Sequence, residues 1–101
     1  MANTGFRMLT AQSSVNSDKA VAYLKKFCRH FAHKLPTEFN DDSGYVDFPF
    51  GDCRLTSHDN QLTFKIEAET EETLAKLEDV VARHMERFAF RDEITLTWVR
   101  Q

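Results

Sequence analysis

The sequence predicts an α+β fold: a two-layer sandwich in which a curved antiparallel sheet carries two helices on one face. Three observations point to it. Two stretches place apolar residues three and four positions apart, the period of a helix buried along one side. Around them, short segments alternate apolar and polar residues, the period of half-buried strands. The order in which they occur, β-α-β-β-β-β-α-β, offers two amphipathic helices one apolar sheet face to cover.

Taken in order, residues 5–14 (GFRMLTAQSS) read as a first strand. Asn16 or Ser17 then offers an N-cap, with Asp18 against the positive end of the helix dipole. From Ser17 to Lys34 the residues Ala20, Leu24, Phe27, Cys28 and Phe31 form an apolar stripe, while Lys19, Lys26, Arg29 and His33 face water. Pro36 stops the helix, because the residue before a proline disfavours α geometry. Thr37–Asn40 is a short strand closed by the turn Asp41-Asp42-Ser43-Gly44. In Tyr45–Phe50, Val46, Phe48 and Phe50 alternate with Tyr45, Asp47 and Pro49. Gly51-Asp52 is read as a two-residue hairpin loop placing Phe50 opposite Cys53 and Phe48 opposite Leu55, with a bulge as the alternative. After a turn at His58-Asp59-Asn60, Leu62, Phe64, Ile66 and Ala68 alternate with Thr63, Lys65 and Glu67. Thr70 caps the second helix, whose stripe is Leu74, Leu77, Val81, Met85 and Phe88. Glu93–Arg100 closes the chain as a strand with Ile94, Leu96 and Trp98 on one face. The open sheet face is expected to show Thr63, Lys65, Glu67, Thr95 and Thr97. Phe27, Phe31, Phe48, Phe64, Leu77, Val81, Met85 and Trp98 are expected to share one core.

With 101 residues, the chain is expected to form a single domain, 1–101. A net charge of -3 speaks against nucleic acid as a partner. No apolar run approaches the roughly 20 residues that span a bilayer, so no membrane partner is expected. The opening MANTGFRMLTAQ lacks an export pattern, and a cytoplasmic location is expected. Cys28 and Cys53 are too few for a disulfide framework and are expected to be reduced and buried.

The stretch with most capacity for chemistry is CRHFAHK, residues 28–34. His30 and His33 lie about 60° apart on a helical wheel and can face one ligand, whereas Cys28 is about 160° from His30 and belongs to the core stripe. Two imidazoles fall short of the three or four ligands of a zinc site, so no metal ligand is assigned and no cofactor is required. His84 sits at the margin of the second stripe and is expected to be half-buried and satisfied by a carbonyl or carboxylate. Arg54 and Arg87 are candidate anion contacts, each with an Asp or Glu as the alternative partner. Four intervening strands would make the helices antiparallel and put their C-terminal ends at opposite ends of the sheet. On that basis no site is expected to combine His84 with His30 or His33. Glycine-rich phosphate loops, a nucleophile elbow and zinc-protease spacing are absent from the sequence.

The blocks CRHFAHK, GYVDFPFGDCRL, LEDVVARHMERFAFRDE and LTWVRQ, in this order and spacing, resemble a bacterial uncharacterised family, domain of unknown function family 2218, over residues 9–99. His30, His33, Lys34, Arg54, His84, Arg87, Phe88, Arg91 and Trp98 lie in the matching motifs. The resemblance implies no established activity and transfers no functional residue. It implies an association of some members with siderophore-interacting reductases, and hence a lean toward iron–siderophore or haem-related metabolism. The reading is a non-enzymatic binding or accessory domain that uses His30, His33, Lys34, Arg54, His84 and Arg87 toward a small anionic ligand, with a reductase as a candidate partner. A helix C-terminus, being partly negative, counts against an anion there. The alternative is a homodimerisation or protein-interaction module, and third comes a small hydrolase or isomerase using His84 or His30.

Overall fold

The computed structural model describes residues 8–101, so the expected strand's opening residues, 5–7, lie outside the described part. The elements are β1 (Leu9–Asn16), α1 (Ala20–Ala32), β2 (Thr37–Phe39), β3 (Ser43–Phe48), β4 (Gly51–His58), β5 (Gln61–Ala68), α2 (Glu71–Phe88) and β6 (Val99–Arg100), with a 3-10 turn at Phe90–Asp92. They build one antiparallel sheet in the order β2-β3-β4-β5-β1-β6. This is the α+β sandwich expected from the two periodicities.

Register explains which face the helices cover. Ala11, Ile66, Cys53 and Val46 stand side by side across four strands, and Ser13, Phe64, Leu55 and Gly44 form the next row. These rows meet Leu24, Phe27, Cys28 and Phe31 of α1 and Leu74, Leu77, Val81 and Met85 of α2 in one buried cluster. Gly44 lets α1 come close, since a Cβ there would lie 2.6 Å from the Cys28 sulfur. Both cysteines are free and buried, and burial pushes the Cys28 thiol up to about 11. The opposite face shows Thr63, Lys65 and Glu67 as expected, alongside Arg54, Tyr45 and the in-register carboxylates Asp47, Asp52 and Glu67.

Four local details differ from the sequence reading. First, α1 starts at Ala20 with no side-chain cap, and the Ser17 hydroxyl accepts only from the Lys19 N–H at 3.0 Å. The backbone explains the delay: the Ser17 N–H donates to the carbonyl of Asn60 in the β4–β5 turn, which holds residue 17 at the end of β1. Second, β3 and β4 do form a hairpin rather than a bulged strand, but its loop is Pro49-Phe50, with Phe48 paired to Gly51 and Val46 to Cys53. Proline supplies the φ that the first loop position needs, and glycine suits the residue after the loop. At φ 155°, a Cβ on Gly51 would stand 2.3 Å from the Glu67 carbonyl oxygen.

Third, the last segment is not a full strand. Leu96 is buried and Ile94 and Trp98 are half-buried against the core, but the Leu96 N–H donates to Glu86 at 3.3 Å instead of to a strand. Only Val99–Arg100 pair with β1, so Thr95 and Thr97 are not part of the open sheet face. Fourth, Trp98 packs at the margin of the core, whereas the other seven residues expected there are fully within it.

Candidate functional site

Helix α1 presents His30 beside its buried Phe27 and Phe31, and Lys34 follows in the turn after the helix, which ends at Ala32 and not at Lys34 as expected. Helix α2 presents Lys76, Val80 and His84 along a single ridge, at four-residue steps. The loop Pro49-Phe50 closes the third side. Together these elements enclose a groove of about 390 Å³ lined by His30, Phe31, Lys34, Leu35, Phe48, Pro49, Phe50, Lys76, Val80 and His84.

The helices run antiparallel: Phe27 meets Phe88 at 6.5 Å between ring centroids, and Phe31 meets His84 at 4.9 Å. They are also offset, so that only their C-terminal halves overlap. His30 and His84 therefore converge, with ring centroids 5.1 Å apart, contrary to the expectation that His84 stands alone. The direction of the helices was read correctly. The error lay in treating a 13-residue and an 18-residue helix as coextensive.

A chain of aromatic contacts makes the floor continuous with the core: Phe64 to Phe27 (5.6 Å), Phe27 to Phe31 (4.9 Å), Phe31 to Phe48 (5.0 Å) and Phe48 to Phe50 (5.8 Å). Above it the charge is positive. Lys76 Nζ lies 4.5 Å from the centre of the Phe50 ring, and Lys26 Nζ 5.6 Å from that of Phe88. No carboxylate, hydroxyl or thiol lines the groove among the described residues.

His84 is half-buried, and its Nδ1 lies 2.7 Å from the Val80 carbonyl oxygen. A carbonyl can only accept, so Nδ1 carries the hydrogen and Nε2 is left unbonded. His30 is more open, although Phe31 (4.8 Å) and Phe88 (5.3 Å) flank its ring. Its pKa is lowered, first by this partial desolvation and then by the positive charge of His84, His33, Lys34 and Arg87.

Of the remaining candidates, His33 caps α1 in the open and, like Arg87, reaches the groove only through its field on His30. Arg54 is on the other face of the sheet, its guanidinium 4.8 Å from the centre of the Tyr45 ring, and does not join the cluster. The sequence reading missed Lys76, Pro49, Phe50 and Val80 as groove residues. A signal for two of them was present: Phe-Pro-Phe-Gly puts an aromatic in a tight loop, where it cannot enter the sheet core. A larger hollow, about 480 Å³, lies across the same loop, but its wall includes Asp47, Asp52 and Glu69 and no imidazole or cation.

Residues 12–99 match the model of a family described as an uncharacterized protein conserved in bacteria (DUF2218). The chain belongs to this family. The DUF2218 chain is also similar to PA4090 of Pseudomonas aeruginosa, a protein with an NMR structure. The two share 29% identity over 93% of this chain and 96% of the other, with a TM-score of 0.74. No curated protein matches the chain. Among the described residues, no helix is long and apolar enough to cross a membrane.

Proposed function

We propose that this DUF2218 protein is a cytoplasmic, non-enzymatic binding or accessory module whose groove between α1, α2 and the Pro49-Phe50 loop holds a small anionic ligand. One observation carries the reading. In a chain of net charge -3, His30, Lys34, Lys76 and His84 converge over a floor of phenylalanine rings, and no acidic residue lines the groove among the described residues. A concave, mostly apolar site with a few convergent polar groups is the usual form of a small-molecule site. The dipole of α1 counts less against an anion here, because Lys76 and His84 come from α2 and not from the end of α1. The association with siderophore-interacting reductases that the resemblance implies for some members makes iron–siderophore and haem-related compounds the first ligands to try, with a reductase as the candidate partner. Titration of the 15N-labelled protein, followed by NMR, tests the groove. Shifts confined to Phe31, Phe48, Phe50, Lys76 and His84 are expected, and Lys34→Glu with Lys76→Glu should weaken binding by roughly tenfold or more. Shifts scattered over the open sheet face, or none, would remove the reading.

A homodimer is the second reading. It rests on β1, whose outer edge, among the described residues, pairs with β6 at Ala11 and Gln12 and takes one further backbone bond at Thr10 from Gln101. A mass that rises with concentration would favour it.

A further inference from the structure

We propose that the groove's ligand is an aromatic oxyanion, a carboxylate or sulfonate on a planar apolar body, and that a proton taken up by the His30–His84 pair enters with it. The inference rests on the groove being a ligand site and adds which chemistry it selects. The apolar half of the argument is the floor: the rings of Phe31, Phe48 and Phe50 follow one another with centroids 5.0 and 5.8 Å apart, inclined by 69° and 40°, so an aromatic body can pack face-on to one ring and edge-on to its neighbour.

The polar half is the imidazole pair. The Val80 carbonyl holds the hydrogen on His84 Nδ1, so in the neutral ring the unbonded Nε2 carries a lone pair, which repels an oxyanion. One proton on Nε2 converts it to a donor and adds a positive charge. On the neighbouring His30 the free groove resists a proton. Just past α1, His33 and Lys34 act on His30, with Lys26 of α1 over Phe88; from α2 come Arg87 and Lys76; the Pro49-Phe50 loop brings no titratable group. His30 accordingly has a lowered pKa. An anion beside the two rings cancels this repulsion and raises the pKa of His30. Affinity is then highest below the free pKa, declines as pH rises from the free to the bound value, and levels off above it.

Calorimetric titration of the whole chain with 1-naphthoate, in two buffers of different ionisation enthalpy, counts the protons. Naphthoate and naphthalene-1-sulfonate both stay anionic from about pH 5.5 to about pH 8, so any change in affinity belongs to the protein. Uptake of up to one proton is expected, with binding on the order of tenfold tighter at the lower pH. His30→Gln, at an exposed position, should flatten that dependence while leaving the urea midpoint unchanged, and His84→Gln should flatten it too. Equal affinity at both pH values without proton uptake, but with NMR shifts in the groove, would overturn the proton coupling and leave the groove reading standing. Inorganic phosphate binding as tightly as naphthoate would overturn the aromatic part. Absence of groove shifts with either anion at either pH would overturn both this inference and the reading beneath it.

Discussion

Asp52 shows how one side chain can hold a cost that its neighbours do not relieve. One carboxylate oxygen accepts from the Tyr45 hydroxyl at 3.2 Å, while the other is buried without a partner. Asp47 and Glu67 flank it in register, and its pKa is raised, first by burial and then by the Glu67 charge. Because the fold disfavours the charged form, Asp52 costs stability in full above its raised pKa; the cost fades as pH falls from there to the ordinary value of about 3.9 and is gone below it. Asp52→Asn should therefore raise the urea midpoint near neutral pH, with the gain shrinking as pH falls through the carboxylate range. A constant gain at every pH would point to another cause. Gly51 is the opposite case, a position where one added carbon has nowhere to go. Gly51→Ala combines an unfavourable φ with a Cβ 2.3 Å from the Glu67 carbonyl, and should cost about 2 kcal/mol or more in urea denaturation.

At the level of elements, the two helices start differently. Helix α2 has a reciprocal capping box: the Thr70 hydroxyl accepts from the Thr73 N–H at 3.1 Å, and the Thr73 hydroxyl from the Thr70 N–H at 3.2 Å. Thr70→Ala should lower stability by about 1 kcal/mol, and Thr70→Asn should recover most of that loss. Helix α1, without a cap, depends on tertiary contacts instead; the Tyr23 hydroxyl donates to Asp92 in the 3-10 turn, and Lys19 lies 3.5 Å from the same carboxylate. The last strand is decided in the same way. Arg100 makes a two-pronged contact with Glu78 of α2 at 3.0 and 3.1 Å, anchoring the short pairing to the helix layer.

For the molecule as a whole, the core and the groove are one aromatic system. Phe64 lies at its centre, fully buried, edge-on to Phe27. Phe64→Ala should cost about 3–5 kcal/mol, a large share of the roughly 5–15 kcal/mol that holds such a domain together. The aromatic floor of the groove leans on the same chain of rings, so this variant should also broaden the NMR signals of Phe31 and Phe48. A loss under about 1 kcal/mol would mean that Phe64 is not the hub that its position suggests.

Element type and order were legible in the sequence because period and punctuation are local properties: alternation at Leu62–Ala68, helical spacing at Leu74–Met85, Pro36 as a stop. The inward and outward faces of β5 followed from the same alternation. The half-buried state of His84 and its carbonyl partner were legible too, as was the apolar stripe that excludes Cys28 from any cluster with His30. Other features depended on how far one element slides along another, which no local pattern records. The offset between α1 and α2 is set by packing Phe27 and Phe31 against Phe88 and His84, and it alone brings His30 to His84. The hairpin loop moved two residues because Pro49 and Gly51 fit their backbone positions only in that register. Lys76 joined the groove because α2 extends past the end of α1. The sequence by itself determined the parts of this protein and their inward faces; the tertiary structure, through the sliding of packed helices, decided which side chains share a site.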